Sequence, residues 1–461
     1  MAAQTYQRRV LHADLETPVS TYLKLGRDTD WAFLYESVEG RSVWAHYSIL
    51  GFGARHTFVL RDGGWSVDDR PFEPAPKEDP FAALRRAVSP YLPSLPADAP
   101  RFLGGIFGFA AYDAIHAIEP VGGRSRTGMP ELCFFQPELL AVFDHRQHSL
   151  SLYALDPARL DEAVTRLQTP LERNAENPAR TWVRPEAVPT GDAHRCAVAA
   201  AQEHIRAGDV IQVVLSRTFS MPRLVAPFDI YRGLRTVNPS PYLFFLQSPH
   251  LELAGASPEV MVRVLDGSVS VRPIAGTRPR GASPSEDAKL AEALKADPKE
   301  IAEHIMLVDL GRNDVGRVAE AGSVRVDELM VIEHYSHVMH LVSQVHGNLN
   351  ANRGLDAFDA VRAAFPAGTL TGAPKVRAMQ LIAALEAEPR GLYGGAVGYF
   401  GPRGDADFGI AIRTVEALPD TLVVRAGGGI VADSDPHAET RETEAKAEGV
   451  LRAIRWAHDH L

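Results

Sequence analysis

Two pairs of glutamates hold the most chemical potential in this chain: Glu300 and Glu303 in DPKEIAEHIMLVDLGRND, and Glu439 and Glu442 in SDPHAETRETEAKAEG. Both stretches read as helices, and a spacing of three places the two carboxylates of each pair on one helical face. Four carboxylates brought together from two helices would make an all-oxygen site for a hard divalent cation such as Mg²⁺, which keeps several waters and shares its shell with an anionic ligand. Taken singly, a Glu-x-x-Glu pair is most often a solvated helix face, so the setting of each pair decides. On the first helix Ile301, Ile305 and Val308 are expected on the face opposite the glutamates. On the second, Asp435 is placed to cap the helix and Pro436 suits its first turn. There Glu439, Glu442 and Lys446 form one stripe, and Lys446 either simply pairs with Glu442 or adds a cation beside an anion.

Other groups could hold an anion. Gly427, Gly428 and Gly429 follow a strand-like run and let backbone N–H groups approach a carboxylate, although a bulge or tight turn is the default reading of such a triplet. The segment Thr369 to Lys375 is a loop entering a helix at Pro374, with Val376, Met379, Ile382 and Leu385 on the core side, and its open N–H groups form a second candidate anion site. His337 and His340 could bind zinc or move protons, but a hydrogen-bonded core histidine is commoner than either. No HExxH, GxSxG, Walker or dinucleotide fingerprint occurs, so nothing supports zinc proteolysis, serine hydrolysis or nucleotide chemistry.

The elements that must position these groups fall into two parts. Up to residue 171, short alternating runs such as Trp31 to Val38, Val43 to Phe52 and His56 to Val67 predict strands and hairpins. Proline-rich loops flank a short helix at Phe81 to Val88, and an amphipathic helix at Asp156 to Gln168 closes this part. Residues 172–191 read as a linker. From 192 to 461, helices alternate with strands, including Lys299 to Leu310, Pro374 to Leu385 and Pro436 to His458 against Asp209 to Ser220, Phe408 to Val415 and Thr421 to Ala426. The strand–turn–strand junctions are short, so antiparallel sheets of an α+β fold are expected over a doubly wound one.

With 461 residues, 45% of them hydrophobic, the chain has material for a large core and two to four domains. Two cysteines, Cys133 and Cys196, cannot build a disulfide framework, which fits a reducing cytoplasm. No apolar run predicts export or a membrane span. A net charge of −10 argues against nucleic acid as a partner and requires that any anionic ligand be held by local positive groups.

Taken together, these blocks resemble the chorismate-utilising enzymes, in particular the family of anthranilate synthase large subunits (component I). The matching runs include Asp209 to Ser216, Asn238 to Tyr242, Gly255 to Glu259, Pro273 to Gly281, Asp309 to Asp314, Tyr335 to His340, Phe365 to Arg377, Tyr393 to Phe400, Ile410 to Thr414 and Gly429 to Asp435. They cover nearly all of residues 195–461, and Leu34 to Gly40 with Gly104, Gly105 and Gly108 extend the likeness to the N-terminal part. The resemblance implies packed sheets flanked by helices with the active site between them. It implies that Glu303 and Glu442 hold Mg²⁺, with Glu300 and Glu439 acting through waters, and that the metal meets the ring carboxylate of chorismate. Tyr393, Arg413 and the N–H groups of Gly427 to Gly429 would hold the enolpyruvyl carboxylate, with Lys446 adding charge. His340 would assist loss of the ring hydroxyl and Thr369 would position the substrate, while Ala275, Gly276 and Thr277 line the pocket.

The resemblance further implies that chorismate and ammonia give anthranilate and pyruvate, the first step of tryptophan biosynthesis. Relatives that add water carry a lysine where this chain has Gln212, and the typical aminodeoxychorismate synthase carries one where it has Ala275. Both lysines are absent, which favours anthranilate; aminodeoxychorismate synthase component I and a non-catalytic tryptophan-sensing relative are the alternatives. No glutaminase region is present in the sequence, so a separate glutamine amidotransferase is implied as the ammonia source in a hetero-oligomer. Feedback inhibition by tryptophan is implied through Glu36, Ser37, Pro241 and Tyr242, with Tyr35 standing where the family usually has leucine.

Overall fold

The computed structural model describes residues 5–37, 47–93, 95, 98–171, 181–334 and 338–461, and the side chain of Thr277 is outside the description. His337 and the first residues of the Tyr335 to His340 run lie outside it too, as do residues 172–180 of the expected linker. The rest of that linker holds the short strand Glu186–Val188, which pairs with Thr218 to Ser220.

Two long strands, Tyr47–Arg61 and Pro130–Asp144, form the spine of the fold and pair antiparallel along most of their length. Their register shifts between Ala54 and His56 and again between Leu60 and Arg61, and an extra residue on one strand of a pair bends and twists it. From the two halves of this pair two antiparallel arms spread. One passes through Ala32–Glu36, Tyr242–Gln247, Glu252–Ser257, Thr414–Ala417 and Thr421–Ile430 to Gln212–Pro222. The other passes through Ile106–Ala110, Ala396–Phe400, Ala406–Ile410, Val260–Leu265 and Ser268–Val271 to Val338–Asn348. That last strand also pairs with Ile274–Pro279 and Arg325–His334. Both halves of the sequence therefore supply neighbouring strands to each arm.

Side chains alternate across a strand, and the apolar clusters follow that period. Phe109, Phe244, Leu253 and Val397 pack between the arms, as do Phe33, Phe107, Phe135 and Tyr399. Phe33 and Phe107 stack there with ring centroids 4.2 Å apart. Helices cover the outer faces: Pro18–Leu25, Pro157–Gln168, Pro227–Val237 and Pro436–His460 on the first arm, and Pro80–Val88, Pro298–Gly316 and Ala357–Ala364 on the second. The fold is α+β, with packed antiparallel arms and helices outside.

Four local expectations change. The run Phe408 to Val415 is not one strand: it breaks between Ile410 and Thr414, where Arg413 takes φ 49°. The triple glycine is neither a bulge nor a turn but continues the strand Thr421–Ile430 in regular register with Val214 to Ser216. On the helix Pro298–Gly316 the buried stripe is His304, Leu307, Val308, Gly311 and Val315, while Ile305 is 45% exposed, because the helix meets the sheet roughly a fifth of a turn away from the expected line. The helix Lys375–Leu385 buries Ala378 and Leu381 beside the expected Met379 and Ile382, while Val376 and Leu385 pack against the core only partly buried. Pro18–Leu25 and Pro227–Val237 are helices that the sequence reading passed over; each begins with proline in its first turn.

Candidate active site

The far ends of the two arms face each other across a cleft, and the helices Pro298–Gly316 and Pro436–His460 bring the glutamates to it. Each helix starts at an aspartate cap, Asp297 accepting from Lys299 N and Glu300 N, and Asp435 accepting from His437 N. Arg278 donates to Glu300 Oε1 at 3.2 Å, Ser434 Oγ donates to Glu439 Oε1 at 2.7 Å, and Lys446 Nζ lies 2.7 Å from Glu442 Oε1. Among the described residues no group of three or more acidic, histidine or cysteine side chains stands close enough to ligate one ion as placed. The carboxylates nevertheless feel one another across the two helices. Burial, then the charges of Glu300 and Glu442, push Glu303 above the usual carboxylate range, against the pull of Lys299 and Lys446. Burial also raises Glu439, with Glu442 adding to it and Ser434 opposing. Glu439 Oε2 is buried without a hydrogen-bond partner. An orphaned carboxylate oxygen among crowded, desolvated carboxylates fits an oxygen-seeking divalent cation, which would relieve both costs.

The glycine strand forms the adjoining wall. A Cβ on Gly428 would come within 3.0 Å of Glu439 Oε2, and one on Gly276 within 3.0 Å of Glu300 Oε2. Lys446 Nζ donates to Gly427 O at 3.0 Å while the Gly427 N–H faces the Tyr393 hydroxyl, so this peptide turns away from the neighbouring strand. By the two-residue period of a strand, Gly429 turns the same way and Gly428 points into the ladder. Gln212 lies over Gly429, where an added Cβ would stand 2.1 Å from its Nε2. Burial pushes the Tyr393 phenol up to about 12, so it stays a hydrogen-bond donor. At the start of the helix Lys375–Leu385 no side chain caps the open N–H groups, and Lys375 Nζ lies 2.7 Å from Asp314 Oδ1 and donates to Ala364 O at 3.3 Å.

Glu259 completes the cleft, and the sequence reading gave it no role. It opens onto the cleft yet lies far from bulk water, and burial pushes its carboxyl up to about 7 against the pull of Thr369, Lys446 and Arg413. Thr369 Oγ1 sits buried against this carboxyl without a directed hydrogen bond. Arg413 is half-buried; desolvation lowers its pKa against the pull of Glu259, and its charge helps lower that of His340. His340 Nδ1 lies 3.2 Å from Gly276 O; a carbonyl only accepts, so Nδ1 bears the proton. Burial lowers this histidine's pKa and keeps it neutral. Ala275 and Gly276 lie on the facing strand at a register shift, Gly276 with φ +56°. The one signal for Glu259 was its place in Gly255 to Glu259, at the threshold of the apolar strand Val260–Leu265.

Glu36, Ser37, Pro241 and Tyr242 line a second cleft, between the arms, that holds about 630 Å³ including its mouth. Glu36 accepts from Ser48 Oγ at 3.1 Å and from Arg235 Nε at 3.0 Å, and the Tyr231 hydroxyl also bonds it. Tyr242 donates to Asp407 Oδ1 at 2.6 Å. The Tyr35 hydroxyl reaches the carbonyls of Gly108 and Gly398, each at 3.4 Å.

An all-antiparallel fold whose two arms close on crowded carboxylates, a glycine wall, an arginine and a high-pKa acid defines an enzyme cleft for a small polyanion. The chain belongs to the chorismate binding enzyme family, which matches residues 32–452. It is 46% identical to anthranilate synthase component 1 of Thermus thermophilus over 98% of both chains. With the protein of the same name from Pseudomonas aeruginosa it shares 43% identity over 100% of this chain and 98% of the other. The crystal structure of anthranilate synthase component I from Streptococcus pneumoniae superposes with a TM-score of 0.78 at 35% identity, covering 96% of this chain and 99% of that one. The menaquinone-specific isochorismate synthase MenF of Escherichia coli shares the fold, with a TM-score of 0.73 at 20% identity.

Proposed function

We propose that this chain is the large subunit of an anthranilate synthase, converting chorismate and ammonia to anthranilate, pyruvate and water in a Mg²⁺-dependent reaction. What supports the chemistry is that the two glutamate pairs, Arg413, the glycine wall and Glu259, whose carboxyl burial pushes up to about 7, border one cleft. Chorismate has two carboxylates, and a protein of net charge −10 must meet both with local positive groups. Glu303 and Glu442 would hold Mg²⁺, with Glu300 and Glu439 beside them. When bound there, the metal would neutralise the ring carboxylate and draw electron density from the ring. Tyr393, itself held by the Gly427 N–H, binds the enolpyruvyl carboxylate together with Arg413 and the Gly429 N–H, and Lys446 bridges the two subsites through Glu442 and the Gly427 carbonyl.

Ammonia adds to the ring carbon next to the one bearing the carboxylate, the diene shifts, and the C–O bond of the hydroxyl across the ring breaks. Glu259, half protonated near neutrality, gives its proton to that leaving hydroxyl, which departs as water. Neutral His340, with Nε2 as its acceptor nitrogen, suits proton removal better than donation. Loss of the ring proton and cleavage of the enolpyruvyl ether follow, with a proton delivered to the methylene carbon, so that pyruvate leaves and the ring becomes aromatic. Gln212 and Ala275, in place of lysines, leave no basic side chain at those two positions to direct water or amine addition elsewhere.

Ammonia is supplied by a separate glutamine amidotransferase, and the cleft around Glu36, Ser37, Pro241 and Tyr242 binds tryptophan as inhibitor; the convergence of all four on one cavity supports that reading. Two free cysteines, one buried and one exposed, accord with work in the cytoplasm, and no helix among the described residues is long and apolar enough to cross a membrane. The test is fluorescence detection of anthranilate from chorismate, Mg²⁺ and ammonium. Formation of 4-amino-4-deoxychorismate, or of no product by a folded protein, overturns the assignment.

A further inference from the structure

Behind Tyr393 lies a charge cluster that the reaction as described does not use. Arg390 is only 2% exposed and spends its guanidinium on three different segments. Nη1 donates to Leu370 O at 2.6 Å, in the turn that carries Thr369, and Nη2 to Val214 O at 2.8 Å, two residues from Gln212. Nε and Nη2 grip Glu386 at 3.0 and 2.9 Å. Its Cζ lies 5.6 Å from the Tyr393 ring centroid and 4.7 Å from that of Tyr112. Glu386 is also fixed, accepting from Ser216 N at 2.9 Å, Ser216 Oγ at 2.8 Å and Arg425 Nη2 at 2.7 Å. The following peptides are held too, Gly391 N by Asp113 Oδ1 at 3.1 Å and Leu392 N by Glu416 Oε1 at 3.3 Å.

We propose that Arg390 is the positioning residue of the chorismate cleft, tying the Thr369 turn, the Gln212 strand and the Tyr393 ring into one rigid wall. Each of those three elements brings a group to substrate; the first two also meet through a short backbone pairing, Gln212 and Val213 against Ala373 and Gly372 with Ile211 N to Ala373 O at 2.7 Å and Val214 N to Thr371 O at 2.9 Å, and Arg390 adds side-chain ties to both and stacks near the Tyr393 ring. A rigid guanidinium fork can hold two carbonyls, a carboxylate and an aromatic face at once; an ammonium cannot. The inference rests on the chorismate reading of this cleft.

Arg390→Lys keeps the charge and loses the fork. In full-length protein with ammonium as nitrogen source it is expected to lower kcat/KM for chorismate about tenfold or more, while KM for ammonium stays within about twofold of wild type. Arg425→Lys is the matched control. It disturbs the same buried Glu386, but Arg425 donates only to Ser216, Glu386, Pro389 and Glu388, so it should cost stability with less than about a threefold kinetic change. Equal kinetic losses in the two variants, or a near-wild-type Arg390→Lys, overturn the proposal. Should Arg390→Lys fail to fold, Tyr112→Leu removes one aromatic face and keeps every hydrogen bond of Arg390. A several-fold rise in chorismate KM at constant ammonium KM is then expected, and an unchanged chorismate KM overturns the idea. Calorimetry of chorismate binding separates the two readings: if wild type binds chorismate but makes no anthranilate, weaker binding by the variant still upholds the positioning role while the assigned reaction fails.

Discussion

Glu259→Gln isolates a proton. Glutamine keeps the size of the side chain and its ability to meet Thr369, but has no acidic proton to give. The wild-type carboxyl is pushed up to about 7 by burial, so at neutral pH roughly half the molecules carry the acid and at pH 8 only about a tenth do. Binding of a substrate with two carboxylates adds negative charge and moves that midpoint further up. The sign is fixed by the role: the protonated form is active, so kcat falls as pH rises through the folded-state pKa and holds level below it. A general acid contributes about 10²–10⁴-fold, and Glu259→Gln should lose that factor at pH 6.5 together with the falling alkaline limb. The assay is anthranilate fluorescence at saturating chorismate and Mg²⁺, with free ammonia held constant at each pH because ammonium itself deprotonates in the alkaline range. A wild-type kcat that stays flat from pH 6 to pH 9, or a variant within about threefold of wild type, would refute the assignment of Glu259 as the acid.

Glu303→Gln and Glu442→Gln should each cost about a hundredfold or more in turnover and weaken Mg²⁺ binding measured by calorimetry; near-wild-type rates at saturating metal would dismantle the four-glutamate site. Gly429→Ala places a methyl 2.1 Å from Gln212 Nε2, the movable end of a side chain, so the protein should fold with an unchanged melting temperature and a raised chorismate KM. Ser37→Arg should fill the cleft between the arms and abolish tryptophan inhibition at near-wild-type turnover; equal tryptophan sensitivity in steady-state assays would remove Ser37 from the site. Phe408→Ala, at a fully buried ring between two core aromatics, should destabilise by about 3–5 kcal/mol in denaturant titration.

Local signals placed much of this molecule. Asp435 and Pro436 fixed the start of Pro436–His460, because caps and first turns depend on near neighbours alone, whereas the helix expected over Lys299 to Leu310 runs on to Gly316. Glutamates three apart had to share a helical face. Less legible were the features that depend on what a segment packs against. Nothing local could say that Ile305 faces water while His304 is buried, since the helix meets the sheet on a side chosen by distant strands. Arg413 interrupts an apolar run that reads as one strand: its φ of 49° falls in the break between Ile410 and Thr414.

The antiparallel α+β character, the two glutamate pairs and the glycine run were legible from spacing within a few residues. Tertiary structure alone decided that Glu259 is an acid near neutrality, that two of three glycines turn their peptides to the cleft, and that Arg390 sits beneath Tyr393. Each of these depends on desolvation or on a strand neighbour far away in the chain, and water leaves a carboxyl only when the whole fold closes around it.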